Sequence, residues 1–216
     1  MKKIAVVLSG CGFLDGSEIT EAISVLISLS ECQAQYQVFA PALPLQEIDH
    51  VRQEATGKTR DVLSESARIA RGHVQDLANL KASAFDGLVF PGGYGAAKNL
   101  SNWAQAGAQS KVHPQVDRVI QEFHSASKPI CALCIAPVLL AQVLREENLS
   151  ITIGNDKETA AEIHKTGAEH VECAVDDFVT DRLNKVITSP AYMYTATPYA
   201  VYTGIRKAVR ELVEMS

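Results

Sequence analysis

Short apolar runs that stop at glycine, proline or cysteine alternate along this chain with longer segments in which apolar residues recur every three to four positions. The first run, Lys3–Ser9 (KIAVVLS), is continuous, as expected of a strand buried on both faces. From Ser17 to about Glu31 the apolar residues Ile19, Ala22, Ile23, Leu26, Ile27 and Leu29 predict a helix, with Asp15 or Ser17 as its N-cap. Glu18 stands three residues after Asp15, where the acid of a capping box belongs. Tyr36–Ala40 is the next strand, stopped by Pro41 and Pro44. Residues 41–59 show weak periodicity and are expected to form an excursion over the sheet edge, before a helix over Arg60–Ala70. Asp86–Phe90 is a strand running into Pro91-Gly92-Gly93-Tyr94-Gly95, and His113–Ser125 an amphipathic helix. Pro129–Leu133 is a strand, and a helix follows Cys134 with Pro137 near its first turn, where proline is tolerated. Ile151–Ile153 reads as a short strand and Lys157–Thr166 as a helix ended by Gly167. Phe178–Thr180 and Lys185–Thr188 flank a turn, and Pro198–Val213 closes the chain as a helix.

Strands alternating with helices imply an α/β protein: a mostly parallel, doubly wound sheet between two helical layers, in one domain over residues 1–216. In such sheets ligands bind outside the carboxyl ends of the strands. The segments Gly10–Ser17, Pro91–Gly95 and Cys134–Pro137 are therefore the places to look for chemistry.

Composition removes several function classes. Hydrophobic residues make up 47% and charged residues 21%, an ordinary globular balance, and the net charge is −5. That balance offers nucleic acid or an anionic membrane no basic footprint, and no apolar stretch is long enough to span a bilayer. The N-terminal Met-Lys-Lys followed by an apolar run has the outline of a signal peptide, but the run is too short and reads as the first strand. Five scattered cysteines (Cys11, Cys32, Cys131, Cys134 and Cys173) suit reduced thiols, hence the cytoplasm or an organelle matrix.

Cys134 alone makes the turn between a buried strand and a helix. A side chain there is pushed toward the cleft, as in a nucleophile elbow, and its backbone often has positive φ. The helix N-terminus favours thiolate, the reactive form, although a free cysteine is also a common small buried residue. A Cys131–Cys134 redox pair is disfavoured, because Cys131 lies inside the strand, and no second ligand pair supports a metal site.

Gly92 and Gly93 let backbone approach a ligand, and with the Ile135 N–H their amides could hold an oxyanion beside Cys134. A plain glycine turn is the alternative; the run matches neither of the common nucleotide-binding glycine motifs. Glu18 and Glu21, three residues apart, can share one side of the first helix; either could exchange a proton with Cys134, or both could simply complement the helix N-terminus. His113 and His124 fall on a surface-type helix and His164 near a helix end, whereas His170 follows a helix and could reach a cleft or be a surface loop residue.

Several stretches resemble the ElbB family, also described as isoprenoid biosynthesis proteins with an amidotransferase-like domain. They are Gly10-Cys-Gly-x-x-Asp-Gly-Ser-Glu-Ile-x-Glu-Ala, Arg60–Gly72, Pro91-Gly-Gly-Tyr-Gly-Ala-Ala-Lys-Asn-Leu-Ser-Asn102, Cys134-Ile-Ala-Pro137, Gly167-Ala-Glu-His170, Val175-Asp-Asp177 and Thr188–Met193. The resemblance spans nearly the whole chain and extends to the wider PfpI and class I glutamine amidotransferase-like group. It implies a flavodoxin-like sandwich, Cys134 as nucleophile and an acid partner from the first helix. Aligned on Gln33, where that group carries a glycine after the helix, the acid falls on Glu21, with Glu18 in reserve. It implies glyoxalase chemistry without cofactor or glutathione, turning a small aldehyde (glyoxal, or methylglyoxal) into a hydroxy acid, with a tie to isoprenoid metabolism. Such chains are often dimers, so a homodimer is expected, although no residue pattern marks its interface. Two departures matter. The histidine that often follows the nucleophile's helix is absent, the region reading Ile153-Gly154-Asn155-Asp156, so Asn155 and His170 are the polar candidates there. The late His and Glu of glutamine amidotransferases are missing from Ser189–Met193, so neither glutaminase nor protease activity is expected. The alternative to an enzyme is a redox-sensing or metabolite-binding protein built on an oxidisable Cys134.

Overall fold

The computed structural model describes residues 1–216. In chain order the elements are β1 (Lys3–Val7), α1 (Ile19–Glu31), β2 (Gln35–Ala40), β3 (Pro44–Asp49), β4 (Glu54–Asp61), α2 (Val62–Ile69), β5 (Val74–Asp76), β6 (Gly87–Phe90), α3 (Tyr94–Lys98), α4 (Trp103–Ala106), α5 (Pro114–Ser125), β7 (Ile130–Leu133), α6 (Pro137–Val143), β8 (Ser150–Ile151), α7 (Lys157–His164), β9 (Glu169–His170), β10 (Val179–Asp181), β11 (Val186–Ser189) and α8 (Pro198–Met215). Seven strands form one sheet in the order β10-β11-β7-β6-β1-β2-β5, all parallel except the β10–β11 pair. Helices cover both faces, the three-layer α/β/α sandwich expected from the alternation of elements.

The two faces are sorted by strand alternation. Ile4 and Val6 of β1 pack with Val25 and Leu29 of α1 and Ile205 and Leu212 of α8. Ala5 and Val7 face the other way, with Phe90, Val119, Phe123 and Leu140. β1 lies between β2 and β6, where the winding of the sheet reverses, so a crevice opens at the carboxyl ends of β1, β6 and β7. No helix is long and apolar enough to cross a membrane.

Several expectations are corrected. Residues 44–61 form an antiparallel hairpin, β3–β4, with an irregularity between Gln46 and Ile48 that blurs its periodicity. Arg60 belongs to β4, and α2 starts only after Asp61, whose carboxylate caps it. The predicted strand over 151–153 pairs only through Ser150–Ile151, with β9, so His170 lies in a strand rather than a loop. On α1 the buried face is Ala22, Val25 and Leu29, while Ile19, Ile23 and Ile27 stay exposed.

Candidate active site

The N-cap of α1 is Glu18, not Asp15 or Ser17. The loop before the helix doubles back, with the Gly16 N–H bonded to the Gly12 carbonyl. This turns Asp15 toward the hairpin, where Oδ2 accepts the Ile48 N–H at 2.8 Å, and turns the Ser17 hydroxyl onto the Ser9 N–H at 2.9 Å. Glu18 is left nearest the helix start, and its Oε2 accepts the Glu21 N–H at 2.6 Å. The loop is tied to its neighbours by Tyr94 N–H to the Phe13 carbonyl (2.7 Å) and by the Asn99 side-chain amide, which donates to Ser9 and Asp15 carbonyls at 2.9 and 2.8 Å.

Cys134 turns the chain between β7 and α6 with φ +58°. A side chain in this left-handed region costs on the order of 1 kcal/mol. The conformation is held by the Cys134 N–H on the Ser189 carbonyl and the Ala136 N–H on the Leu133 carbonyl, both at 2.9 Å. Only 7% of Cys134 is exposed, at the base of a cleft of about 340 Å³. Its sulfur receives the N–H groups of Gly93 and Ile135 and shares a hydrogen bond with the Glu21 carboxyl.

Glu21 is wholly buried behind Cys134. Its Oε2 accepts the Gly92 N–H at 2.8 Å and its Oε1 the Tyr192 N–H at 3.2 Å. Burial pushes its carboxyl up to about 8, Glu18 adds to the rise, and the bonds from Tyr192, Cys134 and Gly92 pull it partly back. Burial likewise holds the Cys134 thiol well above its usual range, with Glu21 adding and the Gly93 and Ile135 amides opposing. The expected lowering by the helix N-terminus is therefore outweighed. The pair titrates as one unit, because a second negative charge in this dry pocket is opposed by the first.

The two glycines have different duties. A Cβ on Gly92 would lie 2.3 Å from the Cys134 Cβ and 2.6 Å from Glu21 Oε2, so only glycine lets acid and thiol meet. The Gly92 N–H is committed to Glu21, which corrects the expectation that it faces an oxyanion. The donors at the sulfur are Gly93, at φ +97°, and Ile135.

Neither polar candidate beyond the helix joins this group. Asn155 is exposed, because the chain turns at Gly154 (φ +83°) and presents Asp156 and Thr159 to the cleft instead. His170 pairs with Ile151 across the β8–β9 sheet beside Gly154 and does not line the cleft; burial lowers its imidazole, and its Nε2 is buried without a partner. The remaining walls are Phe13, Tyr94, Tyr192 and Met193 with Glu18 at the side. Cys131 is buried in β7, and all five cysteines are free thiols.

Residues 13–197 match the model of the DJ-1/PfpI family. The chain belongs to the DJ-1/PfpI family. It is 46% identical over 225 residues to human glutamine amidotransferase-like class 1 domain-containing protein 3, mitochondrial, covering 99% of this chain and 83% of that protein. The zebrafish mitochondrial ES1 protein is 33% identical, covering 99% and 86%. Among solved structures, an isoprenoid biosynthesis protein with amidotransferase-like domain from Ehrlichia chaffeensis superposes with a TM-score of 0.94 at 38% identity, covering 100% of this chain and 99% of that one. Drosophila DJ-1beta shares the fold, at a TM-score of 0.58 and 18% identity, covering 99% and 95%.

In this DJ-1/PfpI chain some cleft residues were not among the candidates singled out from the sequence. Tyr192, which donates its N–H to Glu21 and walls the cleft, sits just beyond β11, a fourth strand end to which the carboxyl-end rule applies equally. Phe13 depends on a loop whose path only long-range contacts settle. His50 of the hairpin stacks edge-on against it with centroids 5.4 Å apart, and its Nε2 accepts the Leu14 N–H at 3.3 Å.

Proposed function

We propose that this DJ-1/PfpI member is a cofactor-independent, glyoxalase-type enzyme that converts glyoxal or methylglyoxal to the hydroxy acid. The observation that carries the reading is the convergence on one sulfur of two backbone N–H groups and a buried carboxyl held near 8, a value suited to taking and returning a proton at neutral pH. In molecules whose Glu21 is ionised, the carboxylate takes the proton of the Cys134 thiol. Sγ then bonds to the aldehyde carbon, and the C=O pair moves to oxygen, which takes the proton back from Glu21; the hemithioacetal forms next to the Gly93 and Ile135 amides. The Glu21 carboxylate removes the hydrogen of that carbon as a proton, the freed pair forms a C=C bond and the neighbouring C=O pair moves onto its oxygen, giving the enediolate. Glu21 then returns the proton to the neighbouring carbon while the hemithioacetal hydroxyl proton passes to the second oxygen and its O–H pair closes the new C=O. This internal oxidation and reduction leaves a thioester. Water attacks it, the C–S bond breaks, and Cys134 recovers its proton as the hydroxy acid leaves.

The reading draws further support from the ElbB-like motifs and from the name of the Ehrlichia relative, which also motivates a tie to isoprenoid metabolism. Five free thiols suit a reducing compartment, the cytoplasm or an organelle matrix. The test is lactate and glycolate formation without glutathione. Wild type is expected to turn over, and Cys134→Ala and Glu21→Gln to fall to background. Wild-type turnover no greater than that of Cys134→Ala sinks the enzyme and moves a sensing or binding role for Cys134 ahead.

A further inference from the structure

We propose that the cleft over Cys134 selects carbonyl compounds bearing a cationic amine at their far end, that it rejects carboxylate- and phosphate-bearing ones, and that Asp156 is the residue setting this preference. The inference rests on the glyoxalase-type reading and names the substrate class of the same site.

Size is the first observation. By a water's share of liquid volume, a cleft of about 340 Å³ corresponds to about eleven waters, far more than glyoxal fills. The chemistry of the walls is the second. The charged side chains that line the cleft are Glu18 and Asp156; no lysine, arginine or histidine is among the lining residues. A carboxylate or phosphate entering it would meet two acids and no cation, whereas an ammonium would meet carboxylates and the rings of Phe13, Tyr94 and Tyr192. The Tyr94 ring already carries an ammonium, Lys98 Nζ, 5.0 Å from its centroid; that lysine is turned onto the Leu14 carbonyl at 3.1 Å and does not line the cleft.

Asp156 also caps α7, with Oδ1 accepting the Thr159 N–H at 2.7 Å. Capping uses one oxygen and requires no charge, since asparagine caps as well. The second oxygen, Oδ2, has no hydrogen-bond partner in the chain. Asp156→Asn therefore removes the charge and keeps the cap.

The test measures how fast Cys134 is modified by three methanethiosulfonates carrying a trimethylammonium, a methyl or a sulfonate group. Rates are read by mass spectrometry on the Cys134 peptide and normalised to a free thiol. The cationic reagent is expected to outpace the anionic one by about tenfold or more, as a charged cleft focuses its counter-ion. The ratio is expected to fall several-fold in Asp156→Asn, and also in the unaltered protein when salt rises from about 0.01 M to 1 M. Equal rates for the two charged reagents, or a ratio unmoved by Asp156→Asn, overturn the proposal. Labelling needs no turnover, so absent methylglyoxal turnover with an intact charge ratio sinks the activity and leaves the preference standing.

Discussion

The floor and the rim of the cleft are built on opposite principles. At the floor, Glu21 and Cys134 are buried and held mainly by backbone: Gly92, Gly93, Ile135 and Tyr192 supply N–H groups, and Ser189 accepts one. At the rim, Tyr94 and Phe13 are exposed, and Phe13 rides on a loop steadied by side chains of more distant elements, His50 and Asn99. Truncating a side chain leaves backbone donors in place, so the floor is vulnerable to added atoms and to charge. The rim is vulnerable to ordinary side-chain loss.

The largest effect expected from this contrast is at Gly92. Gly92→Ala places a methyl 2.3 Å from the Cys134 Cβ, 2.6 Å from Glu21 Oε2 and 2.9 Å from the Leu133 backbone carbonyl. A loss of about 5 kcal/mol is expected, read as a lowered denaturation midpoint with loss of Cys134 labelling in any folded remainder. A stable Gly92→Ala with normal labelling would show that the floor has slack.

Next is the pH dependence carried by Glu21. Its carboxyl is raised from 4.5 to about 8 in the folded protein, so folding takes up a proton between those values. Its stabilising contribution is full below about pH 4.5 and is lost as pH rises through about 8, a change on the order of 5 kcal/mol. Glu21→Gln should flatten that slope when denaturant midpoints are compared at acid, neutral and alkaline pH. Because Gln has one acceptor for two N–H groups, the variant should also be about 1 kcal/mol less stable at the acid end. Parallel slopes in the two proteins would mean that Glu21 is ionised throughout.

At the rim the effects shrink. Asn99→Ala strips the donor from the Ser9 and Asp15 carbonyls and should cost about 2 kcal/mol in the unfolding midpoint. His50→Ala should cost about 1 kcal/mol and loosen Phe13, raising KM for an aldehyde more than it lowers kcat. An equal loss in kcat would move Phe13 from rim to floor.

The difference between floor and rim also marks how much was legible beforehand. The buried strands were, because β1, β6 and β7 are continuous apolar runs and each stops at a turn residue. The position of Cys134 was legible for the same reason: one residue separates the end of an apolar strand from Ile135-Ala-Pro. The hairpin was not, since β4 (EATGKTRD) has no apolar alternation and meets β3 through backbone bonds and polar side-chain pairs such as Arg60 with Glu47. Asn155 was placed one residue too early, because which side chain enters the cleft depends on the left-handed turn at Gly154.

The choice between Glu18 and Glu21 shows the same limit. Their spacing put both on the first turn of one helix, and nothing local separates an N-cap from the third helical residue when the cap itself is a glutamate. By itself the chain determined a doubly wound sheet, the strand ends that frame the cleft and a cysteine on a sharp turn, because hydrophobic period and turn chemistry are local properties. Only the tertiary structure decided which acid meets the thiol, that Gly92 serves the acid, and that burial raises both groups above their usual range. Those outcomes depend on contacts between residues 71 and 171 positions apart, Glu21 with Gly92 and with Tyr192, and on the water that such contacts exclude.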